Sequence, residues 1–138
     1  MLRNAMVVGL LASIYANAYA ANWDEIYSGP PGSIWVDRST ISEEHPLVHA
    51  WLRMKLSKPD NPGDVTYDER SVHLIFDCES WQYRETSDSK WLHGKLVKQW
   101  EGETDYIAID SDKPLAQAAK ALCHKAYGST HILDSLES

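Results

Sequence analysis

The chain has 138 residues, with 13 Lys+Arg against 20 Asp+Glu, and 43% of it is apolar. That length suits one domain, and the apolar share is too high for a disordered chain. A net charge of −7 excludes a nucleic-acid binder, which needs a basic face to meet phosphates.

Residues 1–20 predict a signal peptide. Arg3 precedes an apolar run from Ala5 to Ala16, and Ala18-Tyr19-Ala20 supplies the small residues a signal peptidase accepts. The run is too short to span a bilayer. Cleavage is expected after Ala20, with Ala18 the alternative. No cysteine follows the run, so the mature chain is expected to be exported, periplasmic or secreted, without a lipid anchor or stable membrane insertion. Export also accounts for the cysteines. Cys78 and Cys123 are the only two, their spacing fits neither a C-x-x-C redox motif nor a zinc site, and an oxidising compartment pairs them as a disulfide.

The mature chain reads as strands followed by a helix. Trp23 to Tyr27 is a short apolar-rich strand, and Ser28-Gly29-Pro30-Pro31-Gly32 is a turn. Ser33 to Asp37 is a second strand, followed by a turn at 37–40. Leu47 to Leu56 alternates over ten residues. Val48, Ala50, Leu52, Met54 and Leu56 lie on one face; His49, Trp51, Arg53 and Lys55 lie on the other. Lys58 to Asp64 is a loop by composition, and Ser71 to Cys78 is a strand placing Val72, Leu74, Phe76 and Cys78 together. Trp81 to Thr86 and Trp91 to Trp100 predict two further strands joined by a turn at Ser87-Asp88-Ser89-Lys90. Tyr106 to Ile109 predicts a last strand.

A helix then follows, capped by Asp112, with Pro114 in its first turn and Gly128 ending it. Leu115, Ala118, Ala119, Leu122, Cys123 and Ala126 form its apolar face. Cys78 and Cys123 therefore point from sheet and helix towards one core. The expected fold is α+β: an antiparallel β-sheet with a C-terminal α-helix packed on one face and tied to it by the disulfide. The domain spans 21–128, and 129–138 is a flexible tail.

In this order and spacing the chain resembles the surface-adhesin protein E-like domain of exported bacterial proteins. The resemblance rests on Trp23 and Ile26, Ser33-Ile34-Trp35-Val36-Asp37 with Ser39 and Ile41, Val48-x-x-Trp51, Asp77-Cys78 with Tyr83-Arg84, and Leu122-Cys123. It covers roughly residues 22–124. It implies the same sheet, helix and disulfide. It also implies a non-enzymatic binding role at the bacterial envelope or towards host matrix proteins.

His49, His73 and His93 lie on the outer sides of three expected strands, but nothing in the sequence brings three or four of them to one metal ion. Solvated histidines and no metal are expected. The acidic pairs Asp24-Glu25 and Glu43-Glu44, and Glu101-Gly102-Glu103-Thr104-Asp105, lack the pocket of a catalytic acid and the ligand rhythm of a calcium loop. No Gly-x-Ser-x-Gly or Gly-rich phosphate loop occurs. The expectation is therefore no enzyme and no cofactor. What stands out is the sheet face opposite the helix. Trp51, Arg53, Trp91 and His49 are its candidate binding residues, because exposed aromatics beside cations are enriched at interfaces. A protein partner is expected there; a homodimer would bury the same face. The alternative role is a periplasmic structural or inhibitory module docking on an envelope protein.

Overall fold

The computed structural model describes residues 21–124. Within them lie β1 (Trp23–Gly29), β2 (Gly32–Asp37), a 3-10 turn (Arg38–Thr40) and β3 (Ser42–Glu44). Then come β4 (Leu47–Asp60), β5 (Tyr67–Asp77), β6 (Gln82–Leu92), β7 (Lys95–Glu101) and β8 (Ile107–Ala108). Helix α1 occupies 114–124. The proposed signal peptide, the helix end at Ala126 and Gly128, and the tail lie outside the described residues.

All eight strands form one antiparallel sheet, in the order β1-β2-β4-β5-β6-β7. Two strand edges are each shared by two neighbours. On β4, β2 pairs with Leu52–Leu56 and β3 with Leu47–His49. Thr40 Oγ1 fills the gap between them by accepting from the Trp51 N–H at 3.1 Å. On β6, β7 takes the C-terminal half and β8 pairs with Gln82 and Tyr83. Asp37 holds the 3-10 turn: its Oδ1 accepts from the Ser39 hydroxyl at 2.6 Å and from the backbone N–H groups of Asn22 and Ser39, each at 3.1 Å. Burial pulls the Asp37 carboxyl up, but these bonds outweigh it and leave the pKa below the ordinary 3.8.

The period-two pattern of β4 faces as expected. Val48, Ala50 and Leu52 are sealed against Val72, Leu74 and Phe76 of β5, with Ile34 and Val36 of β2 beside them. Helix α1 covers this inner face through Ala116, Ala118, Ala119, Leu122 and Cys123. Three alanines let its backbone sit close to the sheet, and Leu115 is only half-buried at one end. The Cys78–Cys123 disulfide joins the end of β5 to the helix, with Cα atoms 5.6 Å apart.

Three expectations are corrected. Ser87-Asp88-Ser89-Lys90 is not a turn: β6 runs straight through it. Ser87 and Ser89 are buried there, and Asp88 takes Arg70 Nε at 2.7 Å. Polar residues sit in a strand interior because their partners stand on the neighbouring strand. The reversal comes instead at His93-Gly94, where both residues have positive φ, 50° and 81°, as a tight hairpin turn demands. The loop expected at 58–64 begins later, since β4 continues to Asp60, and β5 begins earlier, at Tyr67. Finally, α1 starts at 114 with Lys113 before it; the side-chain bond at this end is made by Asp110, whose Oδ1 accepts from the Asp112 N–H at 3.0 Å.

Candidate functional site

No described helix covers the outer face of the sheet. Register places Trp35, Arg53, Ser71, Ser89 and Gln99 in one row across it, and Trp51, His73, Ser87 and Glu101 in the next. Ser33, Lys55, Glu69, Trp91 and Leu96 form a third. The four expected residues Trp51, Arg53, Trp91 and His49 therefore share this face, and each is half-buried.

Their burial comes from one another and from neighbours the sequence did not single out. The Arg53 guanidinium lies 4.6 Å from the Trp23 ring centre, and its Nε is 3.4 Å from Glu69 Oε1. Lys55 Nζ lies 5.6 Å over Trp35. The Trp51 ring meets His73 at 5.3 Å, and His73 meets His49 at 6.0 Å. Cations over indole faces at these distances are held by the ring quadrupole. His73 Nδ1 is within hydrogen-bond distance of Thr86 Oγ1. Burial, and then the neighbouring His49, push the His73 pKa below its ordinary value. His49 Nε2 is buried without a hydrogen-bond partner, and Glu44 Oε2 stands 3.9 Å away.

Trp91 stands apart from this ladder, opposite Glu69 on β5. His93 does not join His49 and His73. It sits at the β6–β7 turn, where its N–H donates to Asp68 Oδ2 at 3.2 Å. Among the described residues no group of three His, Cys, Asp or Glu side chains is placed to hold a metal ion. Glu103 of the acidic run instead meets Arg84 at 3.3 Å.

Trp23 is the contributor that sequence reasoning missed; His73 is expected on the outer side of its strand from the sequence, but as a solvated histidine rather than as the neighbour of Trp51. The alternation of β4 shows which of its own residues face outwards, but not which residues of other strands lie opposite. The signal for Trp23 was weaker still. β1 carries a register shift between Glu25 and Tyr27, so its two ends present opposite parities to the same face.

The family model for surface-adhesin protein E matches residues 23–124. The chain belongs to this family. No curated protein matches it in sequence. Among solved structures, crystal form II of Haemophilus influenzae protein E aligns with a TM-score of 0.55 at 12% identity, covering 78% of this chain and 91% of that one. A second protein E structure from Haemophilus influenzae gives 0.53 at 15% identity, over 78% and 92%. Protein E from the non-typeable organism gives 0.50 at 14%, over 80% and 82%. At such identities the likeness concerns the fold.

Proposed function

We propose that this family member is an exported, non-catalytic binding protein. It acts by laying the outer face of its sheet against a protein at the bacterial envelope or in host matrix. The observation that carries the reading is the ladder Trp23–Arg53 and Trp35–Lys55 beside Trp51–His73. Large amphipathic side chains are held there in place on a rigid sheet, with no described helix over them. Interfaces draw most of their energy from a few such residues, with Trp and Arg leading. Because their contacts already order these side chains, little rotamer freedom is left to lose on binding. Trp51, Arg53, Trp91 and His49 are the contact residues of this reading. Among the described residues no helix is long and apolar enough to cross a membrane.

The test is capture of partners by the purified protein from immobilised matrix proteins and, separately, from envelope extract. Trp51→Ala with Arg53→Ala is expected to weaken the captured interaction by about tenfold or more. A double variant that is folded yet binds with unchanged affinity would remove this face from the mechanism. Capture of envelope partners alone would favour the periplasmic docking role over matrix adhesion.

A further inference from the structure

The inner face of the sheet is not closed along its whole length. Between the first turn of α1 and the ends of β1, β2 and β4 lies an open cleft of about 240 Å³. Its walls are carbon-rich: Tyr27, Ile34, Met54, Leu56, Pro114 and Leu115 line it. The Tyr27 hydroxyl donates to Pro30 O at 2.6 Å, so the cleft receives the ring rather than an unpaired polar group. Gly32 completes one wall because β2 approaches β4 closely; a Cβ there would sit 2.0 Å from Lys55 O. No described carboxylate lines the opening, whereas Arg70 and Lys113 both do. Lys55 also borders it, but its ammonium lies over Trp35 on the opposite face. Arg70 is already matched by Glu85 and Asp88, and Lys113 is exposed at the rim, one residue before α1.

We propose that this cleft binds a single-chain anionic amphiphile, a medium-chain fatty-acid carboxylate. The alkyl chain occupies the carbon-lined walls and the carboxylate meets Lys113. Three features agree on that chemistry. The walls offer almost nothing for a polar solute to bond. The volume is about eight waters' share of liquid, which suits a chain of similar carbon number. The side chain at the rim is a cation on a molecule whose net charge of −7 repels anions elsewhere. The site lies on the face opposite the Trp51 ladder, so it stands or falls independently of the adhesive reading.

The experiment is calorimetric titration of the purified full chain with hexanoate, octanoate and decanoate below their micelle concentrations. Affinity is expected to rise about fourfold per added methylene and to level off when the cleft is full. Decanol and decylamine are expected to bind more weakly than decanoate. Leu56→Trp fills the cleft and is expected to cost tenfold or more in decanoate affinity, with Leu115→Trp as the second filling variant should the first not fold. Lys113→Glu is expected to weaken decanoate but not decanol. No binding of decanoate, no dependence on chain length, equal affinity for decylamine, or unchanged binding by a folded filling variant would each overturn the assignment.

Discussion

At the level of Leu74 and Phe76 the inner face of the sheet is dry, sealed under α1 and tied by the disulfide. Four residues earlier on β5, the same face is ionic. Arg70 Nη2 donates to Glu85 Oε1 at 2.6 Å and its Nε to Asp88 Oδ1 at 2.7 Å, while Lys90 Nζ stands 3.5 Å from Asp88 Oδ2. These four side chains are only 12–20% exposed. Burial alone would push Arg70 towards losing its charge; Asp88 and Glu85 outweigh it and hold the guanidinium above its ordinary pKa. The two halves teach that one sheet face is covered by two kinds of interaction on either side of the open cleft. Apolar burial serves where a helix covers it, and a matched charge cluster where the helix ends. They also fail differently. The dry half loses stability when its tether is cut, whereas the ionic half loses it when its charges are left unequal.

The tether is the larger test. Replacing both Cys78 and Cys123 by Ser releases a loop that spans 45 residues. In the chain-entropy model that costs about 4 kcal/mol, a large share of a small domain's stability. The urea midpoint is expected to fall by the corresponding amount, and reductant is expected to lower the parent to the variant's level. A parent whose midpoint ignores reductant would mean that packing alone, without the bridge, holds α1 on the sheet.

Arg70→Ala comes next. It strands Glu85 and Asp88 together in a largely buried site, at a cost of about 3 kcal/mol. The comparison sharpens with Arg70→Met joined to Glu85→Gln and Asp88→Asn, which removes three of the four charges, leaves only the Lys90 ammonium, and is expected to recover part of the loss. Equal destabilisation by the single and triple variants would show that shape, rather than charge balance, closes this half.

The same contrast explains what could be read in the sequence. Val48, Ala50, Leu52, Val72, Leu74 and Phe76 announce their face by alternation, because water exclusion acts on each residue alone. Cys123 falls on the helix's apolar face for the same reason. Ser87-Asp88-Ser89-Lys90 gives no such signal. Its strand conformation depends on Arg70, 18 residues away from Asp88 in sequence, and a polar run without its partner resembles a turn. The outer ladder lies between these cases. Trp51, Arg53 and His49 share a face by period two, but Trp23 reaches Arg53 only through the strand order and the β1 register shift. The cleft beside α1 depends on how far the helix extends over the sheet, which no local pattern records.

The outer face supplies the smallest test, and a control for both halves. His73 is held neutral by burial and by the neighbouring His49, so its folded pKa lies below the unfolded value of 6.5. Stability from this group is complete above pH 6.5. It is lost as pH falls from there towards the folded value, because the unfolded chain takes up the proton first. Partial solvent exposure keeps the effect small. Urea midpoints at about pH 7.5 and about pH 5.5 should therefore differ more in the parent than in His73→Gln. The disulfide does not titrate in that window and the neutralised Arg70→Met, Glu85→Gln, Asp88→Asn site has lost its carboxylates, so these variants should keep the parent's difference, whereas Arg70→Ala adds the response of two stranded carboxylates. If His73→Gln keeps it as well, the pH response belongs to other groups, and the Trp51–His73 contact does not hold the imidazole neutral.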